Sequence, residues 1–132
     1  MLRKTVSSGT AWESKVGYSR AIRVGSHVFV SGTTAMNNLT GTVVGHNDAY
    51  AQTIQALENI EEALRKLGAG LNDVVRTRMY VVNIKSDWEK IGKAHAELFK
   101  DTNPATTMVE VNSLISPELL VEIEADAIVS NP

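Results

Sequence analysis

Three acids recur at alternate positions near the end of the chain, Glu122, Glu124 and Asp126, within the run Leu119–Val129 (LLVEIEADAIV). Alternate residues of a strand share a face, so these carboxylates line one side while Val121, Ile123, Ala125 and Ala127 take the other. Like charges side by side repel unless water, cations or a polar site receives them. Arg76 and Arg78, on one face of Val74–Val82 (VVRTRMYVV) together with Tyr80, are natural cross-strand partners. Two readings follow. Either all three acids are consumed in ion pairs, or Glu122 escapes, lies in a cleft, and holds or protonates a water as a general acid/base. The residues alone do not separate them.

The remaining reactive groups are sparser. Ser31, just before Gly32 at a strand end, could hydrogen-bond a ligand or satisfy a local turn, and no base for a serine nucleophile stands at a recognisable spacing. His95 falls on the apolar stripe of a helix, where a lone histidine reads as a partly buried core residue. His27, His46 and His95 are too scattered for a metal site, no HExxH occurs, and the chain has no Cys. Gly25, Gly32, Gly41 and Gly45 lack the spacing of a phosphate loop. No cofactor or metal is therefore expected. With 13 basic against 15 acidic residues and a net charge of -2, there is no clustered basic footprint for nucleic acid. No apolar run approaches the roughly 20 residues that span a bilayer. The basic opening MLRKTVSSGT leads into no apolar segment, so a soluble cytoplasmic protein is the expectation.

The elements that position these groups follow from hydrophobic period. At 132 residues the chain fits one domain, 1–132. Ser7-Ser8-Gly9-Thr10 reads as a loosely held arm docked by Trp12. Tyr18–Val24 and His27–Gly32 read as strands of a hairpin turning at Gly25-Ser26, with Tyr18, Arg20, Ile22 and Val24 on one side. A short strand is expected at Thr42–Val44. From Asp48 to Leu67 the period becomes helical: Tyr50, Ile54, Leu57, Ile60, Leu64 and Leu67 make one face, capped by Asn47 or Asp48 and ended by Gly68. Ser86-Asp87-Trp88-Glu89 has the form of a capping box opening a second helix, with Trp88, Ile91, His95 and Leu98 or Phe99 as its stripe and Pro104 beyond its end. Thr106–Val111 is a further strand, with Thr106, Met108 and Glu110 on one face. The order predicts an α+β domain with both helices on one face of a mixed sheet. Arg20, Arg76, Arg78 and the acids would share the other face, which a symmetric oligomer could cover.

Several stretches together resemble the YjgF/RidA (Rid) family, also labelled endoribonuclease L-PSP. They are Gly17-Tyr18-Ser19, Phe29-Val30-Ser31-Gly32, Ala56-Leu57-Glu58-Asn59-Ile60 and Asp73-Val74-Val75-Arg76, then Pro104-Ala105, Val109-Glu110-Val111 and Glu122-Ile123-Glu124-Ala125. The resemblance covers nearly the whole chain. It implies a chorismate-mutase-like α+β fold and a homotrimer with a central barrel, outer helices and small-molecule clefts between subunits. It also implies hydrolysis of reactive imines and enamines, such as 2-aminoacrylate, to the keto acid and ammonia. On that footing Glu122 is the catalytic candidate, and Tyr18, Ser31, Gly32, His95, Thr106, Thr107 and Met108 are the ligand-binding candidates.

One departure bears on activity. The family places an Arg directly after its Pro-Ala to clamp the substrate carboxylate, a task suited to a bidentate guanidinium, and this chain has Thr106 there. The Leu-Pro that follows the motif is lengthened to Leu114-Ile115-Ser116-Pro117, and the Asn of the second helix is replaced near Gly92. Generic imine deaminase activity is therefore expected to be weak. His95, Arg76 or Arg78 could supply a substitute charge, or the ligand could lack a carboxylate and meet the Thr106/Thr107 pair. A non-catalytic metabolite-binding or regulatory module is the alternative. A ribonuclease or translation inhibitor, which rests on the family label alone, ranks lowest.

Overall fold

The computed structural model describes residues 2–130. Along the chain run β1 (Arg3–Val6), α1 (Ala11–Val16), β2 (Ala21–Val24), β3 (His27–Thr33), the two short strands β4 (Met36–Asn37) and β5 (Thr42–Val43), and α2 (Ala49–Lys66). Then come β6 (Val74–Val81), α3 (Ile84–Phe99), β7 (Ala105–Glu110) and β8 (Val121–Ile128). Six strands form one sheet in the order β1-β2-β3-β8-β6-β7, and β4 pairs with β5 apart from it. Every neighbour in the large sheet is antiparallel except β6 and β7. A parallel pair needs a crossover, and α3 supplies it. Although β7 and β8 are consecutive, β6 lies between them.

The alternation of β8 decides which face is the core. Val121, Ile123, Ala125 and Ala127 are buried and meet Val28 and Val30 of β3, Met79 and Val81 of β6, and the helices. From α2 the buried residues include Leu57, Ile60 and Leu64, and from α3 they include Ile91 and Phe99. Truncating one such Leu or Ile to Ala costs about 2–5 kcal/mol. Asp48 caps α2 by accepting from the Ala51 N–H at 2.9 Å, and Gly68 follows its end at φ +78°. Arg23 ties the β2–β3 hairpin to this helix: Nε donates to Gly25 O at 2.8 Å and an NH group to Leu67 O at 2.7 Å. A guanidinium suits the carbonyl end of a helix, where the dipole is negative.

Three expectations need correction. The N-terminal arm is not loose: β1 pairs with β2 through Arg3↔Val24 to Val6↔Ala21, and α1 follows. Its anchor is Glu13, 6% exposed, whereas Trp12 is 47% exposed. The Glu13 carboxylate accepts from the Ser8 N–H and hydroxyl and from the Thr10 hydroxyl. β2 begins at Ala21 rather than Tyr18, because the Tyr18 N–H closes α1 by donating to Glu13 O at 2.9 Å. α3 opens at Ile84, ahead of the Ser86–Glu89 box, and its first N–H is met by Glu110 Oε1 from β7 at 3.1 Å. Trp88 is consequently an outward residue, 53% exposed.

Candidate functional site

On the face opposite the helices, Arg78 decides the fate of the acids. Its guanidinium lies 3.2 Å from Asp126 and 3.8 Å from Glu124, and the Tyr80 hydroxyl donates to Glu124 at 2.9 Å. Glu122 is opposite Tyr80 in register and takes part in no ion pair within 4 Å among the described residues. Cross-strand pairing thus takes up Glu124 and Asp126, and Glu122 stays outside it among the described residues. Arg76 faces Asp126 in register but forms no such pair among the described residues.

Glu122 instead borders a cavity of about 380 Å³. Tyr18, Arg20, Gly32, Asn59, Ser116 and Glu118 contribute its polar lining, and Trp12, Val16, Met36, Val43, Ile115 and Leu119 its apolar lining. A bulge shapes it. Val30 pairs with Ala125 and Thr33 with Ile123, so β3 carries one extra residue across this stretch, and such irregularities re-aim side chains. Gly32 sits in the bulge, and a Cβ there would overlap Glu122 Oε2 and come 3.0 Å from its Cδ. The absent side chain is the space the carboxyl occupies. Burial pushes the Glu122 carboxyl above its ordinary value; the Arg20 guanidinium opposes that, and Glu124 adds to it. Glu122 is thus held closer to its neutral form than a solvated carboxylate.

The Glu118–Leu119 part of the lining is held by Gln52, which is fully buried in α2. Its amide donates to Gly45 O at 3.1 Å and Glu118 O at 2.9 Å, and its oxygen accepts from the Leu120 N–H at 2.9 Å. Asn59 donates to Thr34 O at 3.0 Å and Met36 O at 2.8 Å, holding the segment before β4.

Comparison with known proteins decides the lineage of this arrangement. A model of the endoribonuclease L-PSP family matches residues 8–129. The chain belongs to this family. It is similar to a solved member of the YjgF/YER057c/UK114 family from Mycobacterium tuberculosis, at 52% identity and a TM-score of 0.87, with 97% of this chain and all of that one covered. A RutC family protein of Pyrococcus abyssi is 38% identical over 83% of this chain and 84% of its own length. The 2-iminobutanoate/2-iminopropanoate deaminase of Salmonella typhimurium is 29% identical over 96% of this chain and 98% of its own. The sheet and helices described above are the family's chorismate-mutase-like α+β architecture.

Within one chain of this endoribonuclease L-PSP family member, Tyr18, Gly32 and Glu122 come together at the cavity. Ser31 does not line it: its hydroxyl donates to Ser19 O at 2.7 Å, the local-turn role. Thr106, Thr107 and Met108 lie on β7, two strands from Glu122 at the far edge of the sheet. Thr106 and Met108 pair in register with Thr77 and Met79 and so face the helices. The Thr106 hydroxyl is 2.5 Å from that of Thr77, which is 2.9 Å from His95 Nε2. The His95 ring also lies 4.6 Å from that of Phe99, and burial lowers its pKa. His95 is therefore a neutral, partly buried histidine at pH 7 and supplies no substitute charge. Arg78 is engaged by its two acids.

Sequence reasoning missed Arg20 as a site residue because strand alternation assigned it only to a polar face. Its NH group donates to Gly32 O at 2.7 Å and its guanidinium carbon lies 5.7 Å from the centre of the Tyr18 ring. The signal was available in the adjacency of Tyr18 and Arg20 to a short strand start. Among the described residues no three His, Asp or Glu side chains gather as a metal would require, and no helix is long and apolar enough to cross a membrane.

Proposed function

We propose that this protein is a homotrimer whose clefts hydrolyse a small imine or enamine, with Glu122 handling the water and the proton. The observation that carries the reading is the separation of the acids: Arg78 engages Glu124 and Asp126, while Glu122 borders the cavity with a raised pKa. In its neutral form Glu122 donates a proton to the imine nitrogen, and the resulting carboxylate orients the attacking water. Water adds to the C=N carbon as its proton passes to the Glu122 carboxylate. Glu122 returns that proton to the amino nitrogen of the carbinolamine, the C–N bond breaks as the hydroxyl becomes the carbonyl and gives its proton back to Glu122, and the ketone and ammonia leave. The deaminase activity for which the Salmonella relative is named supports this reaction class.

The trimer reading rests on the face that carries Phe29, Val109 and the Arg78 cluster. Phe29 and Val109 are exposed large apolar side chains on it, and copies packing there would cover them. A neighbouring copy would also bring the β7 edge, with Thr106 and Thr107, to the Glu122 cavity. Thr106 offers a hydroxyl already engaged with Thr77 rather than a positive charge. Losing a charged hydrogen bond removes roughly 1.5–3 kcal/mol, about one to two decades in rate if it acts fully in the transition state. That same observation favours the second reading, a binding module without turnover.

The test is ammonia and keto-acid release from 2-iminopropanoate generated in situ, comparing wild type, Glu122→Gln and Thr106→Arg. Slow wild-type turnover, abolished by Glu122→Gln and raised by Thr106→Arg, is expected. Silence from wild type and Thr106→Arg alike moves the protein to the binding class. RNA cleavage that survives repurification and is lost in Glu122→Gln would replace both readings.

A further inference from the structure

Among the described residues, Arg20 is the one cationic side chain lining the Glu122 cavity. A guanidinium has five N–H donors, and Arg20 spends one NH group on Gly32 O. Among the described residues its Nε, shut away from solvent, has no hydrogen-bond partner, and its guanidinium has no carboxylate within 4 Å. Two other arginines of the sheet are committed: Arg78 to Glu124 and Asp126, Arg23 to the carbonyls of Gly25 and Leu67. Nε, out of reach of water, is out of reach of a ligand as well, so a ligand in the cavity meets the NH donors not given to Gly32 O, and a planar acceptor such as a carboxylate suits those best. Trp12, Val16 and Ile115 also line the cavity and remain substantially exposed, Ile115 at 71%.

We infer that Arg20 is the carboxylate anchor of this cavity, so that its ligand is a small organic acid with an apolar substituent packed against Trp12, Val16 and Ile115. The inference deepens the imine-hydrolase reading and rests on the same cavity. It moves the anchor from the position of Thr106 to a residue on Glu122's own chain, beside the group that handles the proton. A carboxylate held there also meets a Glu122 whose pKa burial raises, which eases the repulsion between the two acids. Arg20 becomes a specificity-determining residue.

The test measures binding without turnover. The probes are 4-methyl-2-oxopentanoate, its carboxamide, and 2-oxopropanoate, titrated by calorimetry into the full chain. Wild type is expected to prefer 4-methyl-2-oxopentanoate over both other probes. Arg20→Gln should weaken the acid by about tenfold or more, the scale of one charge-assisted hydrogen bond, and leave the carboxamide unchanged. Arg20→Lys should keep part of the preference for the acid. Glu122→Gln should keep acid binding while abolishing turnover, so failure of the hydrolase reading and failure of the anchor are read separately. Equal affinity of wild type for acid and carboxamide, undiminished acid binding by Arg20→Gln, or equal loss of both probes in that variant overturns the inference. Should Arg20→Gln melt early, the wild-type selectivity and the behaviour of Arg20→Lys decide between the outcomes.

Discussion

Replacing Gly32 by Ala tests the placement of Glu122 without touching a reactive group. Gly32 does not occupy the left-handed backbone region, so Ala is conformationally allowed there. Its three nearest clashes are all with one side chain: Oε2, Cδ at 3.0 Å and Cγ at 3.3 Å of Glu122. The carboxyl must therefore leave its position or the bulge must shift. Overpacking of this kind costs about 1–3 kcal/mol, and displacing the carboxyl removes the proposed acid from the reacting atoms. In a Glu122→Ala background all three clashing atoms are gone. Gly32→Ala should then be neutral or stabilising by up to about 1 kcal/mol, since Ala restricts the unfolded chain. Urea unfolding of the four proteins of this double-mutant cycle measures the coupling, expected at about 1–3 kcal/mol. Ammonia release assayed beside it should fall in Gly32→Ala. Additive effects in the cycle, or full activity in Gly32→Ala, would refute the claim that the glycine exists to seat Glu122.

Gln52→Leu should cost at least about 2 kcal/mol in urea unfolding, because it strands Gly45 O, Glu118 O and the Leu120 N–H together. Glu122 has its folded pKa raised by burial, so its contribution is most favourable below the unfolded value and is lost as pH rises through the folded one. Glu122→Gln should accordingly gain in Tm relative to wild type as pH rises from the ordinary carboxylate value toward neutrality, and a constant difference would count against the shift. Glu13 runs the other way: burial raises it, but hydrogen bonds from Ser8, Ser7 and Thr10 together bring it below its ordinary value. Its stabilisation is present above the unfolded pKa and lost as pH falls through the folded one. Acid-induced release of the arm, followed by limited proteolysis between residues 6 and 11, should occur in wild type, whereas Glu13→Gln should already be cleaved at pH 7.

Much of the frame was legible because it depends on local period. The Leu57, Ile60 and Leu64 spacing gave α2 to within a residue of Ala49–Lys66, and Gly25-Ser26 marked the hairpin with Val24 opposite His27. The failures share another cause, that the deciding partner is distant in sequence. Glu110 meets the first N–H of α3 from 26 positions away, so the Ser86–Glu89 pattern does not set the start. β1 is four residues of mixed polarity that become a strand only because β2 offers an edge. At the site, alternation placed Glu122, Glu124 and Asp126 on one face but could not show that Arg78 reaches two of them. Nor could it show that a bulge at Gly32 turns the cavity toward the third.

The position of β8 at the middle of the sheet also governs how the molecule comes into being. β8 joins β3 on one side to β6 on the other, and its register with β3 pairs His27 with Ile128. The N-terminal strands and the β6–α3–β7 unit therefore remain two open half-sheets until the last strand arrives. Contacts of such long sequence separation slow folding, because the loop they close must be ordered before they reward it. A ribosome-bound chain stopped short of residue 121 would present the exposed edges of both β3 and β6, the template for pairing with other chains. The strand that carries Glu122 is thus also the one whose late insertion seals the sheet.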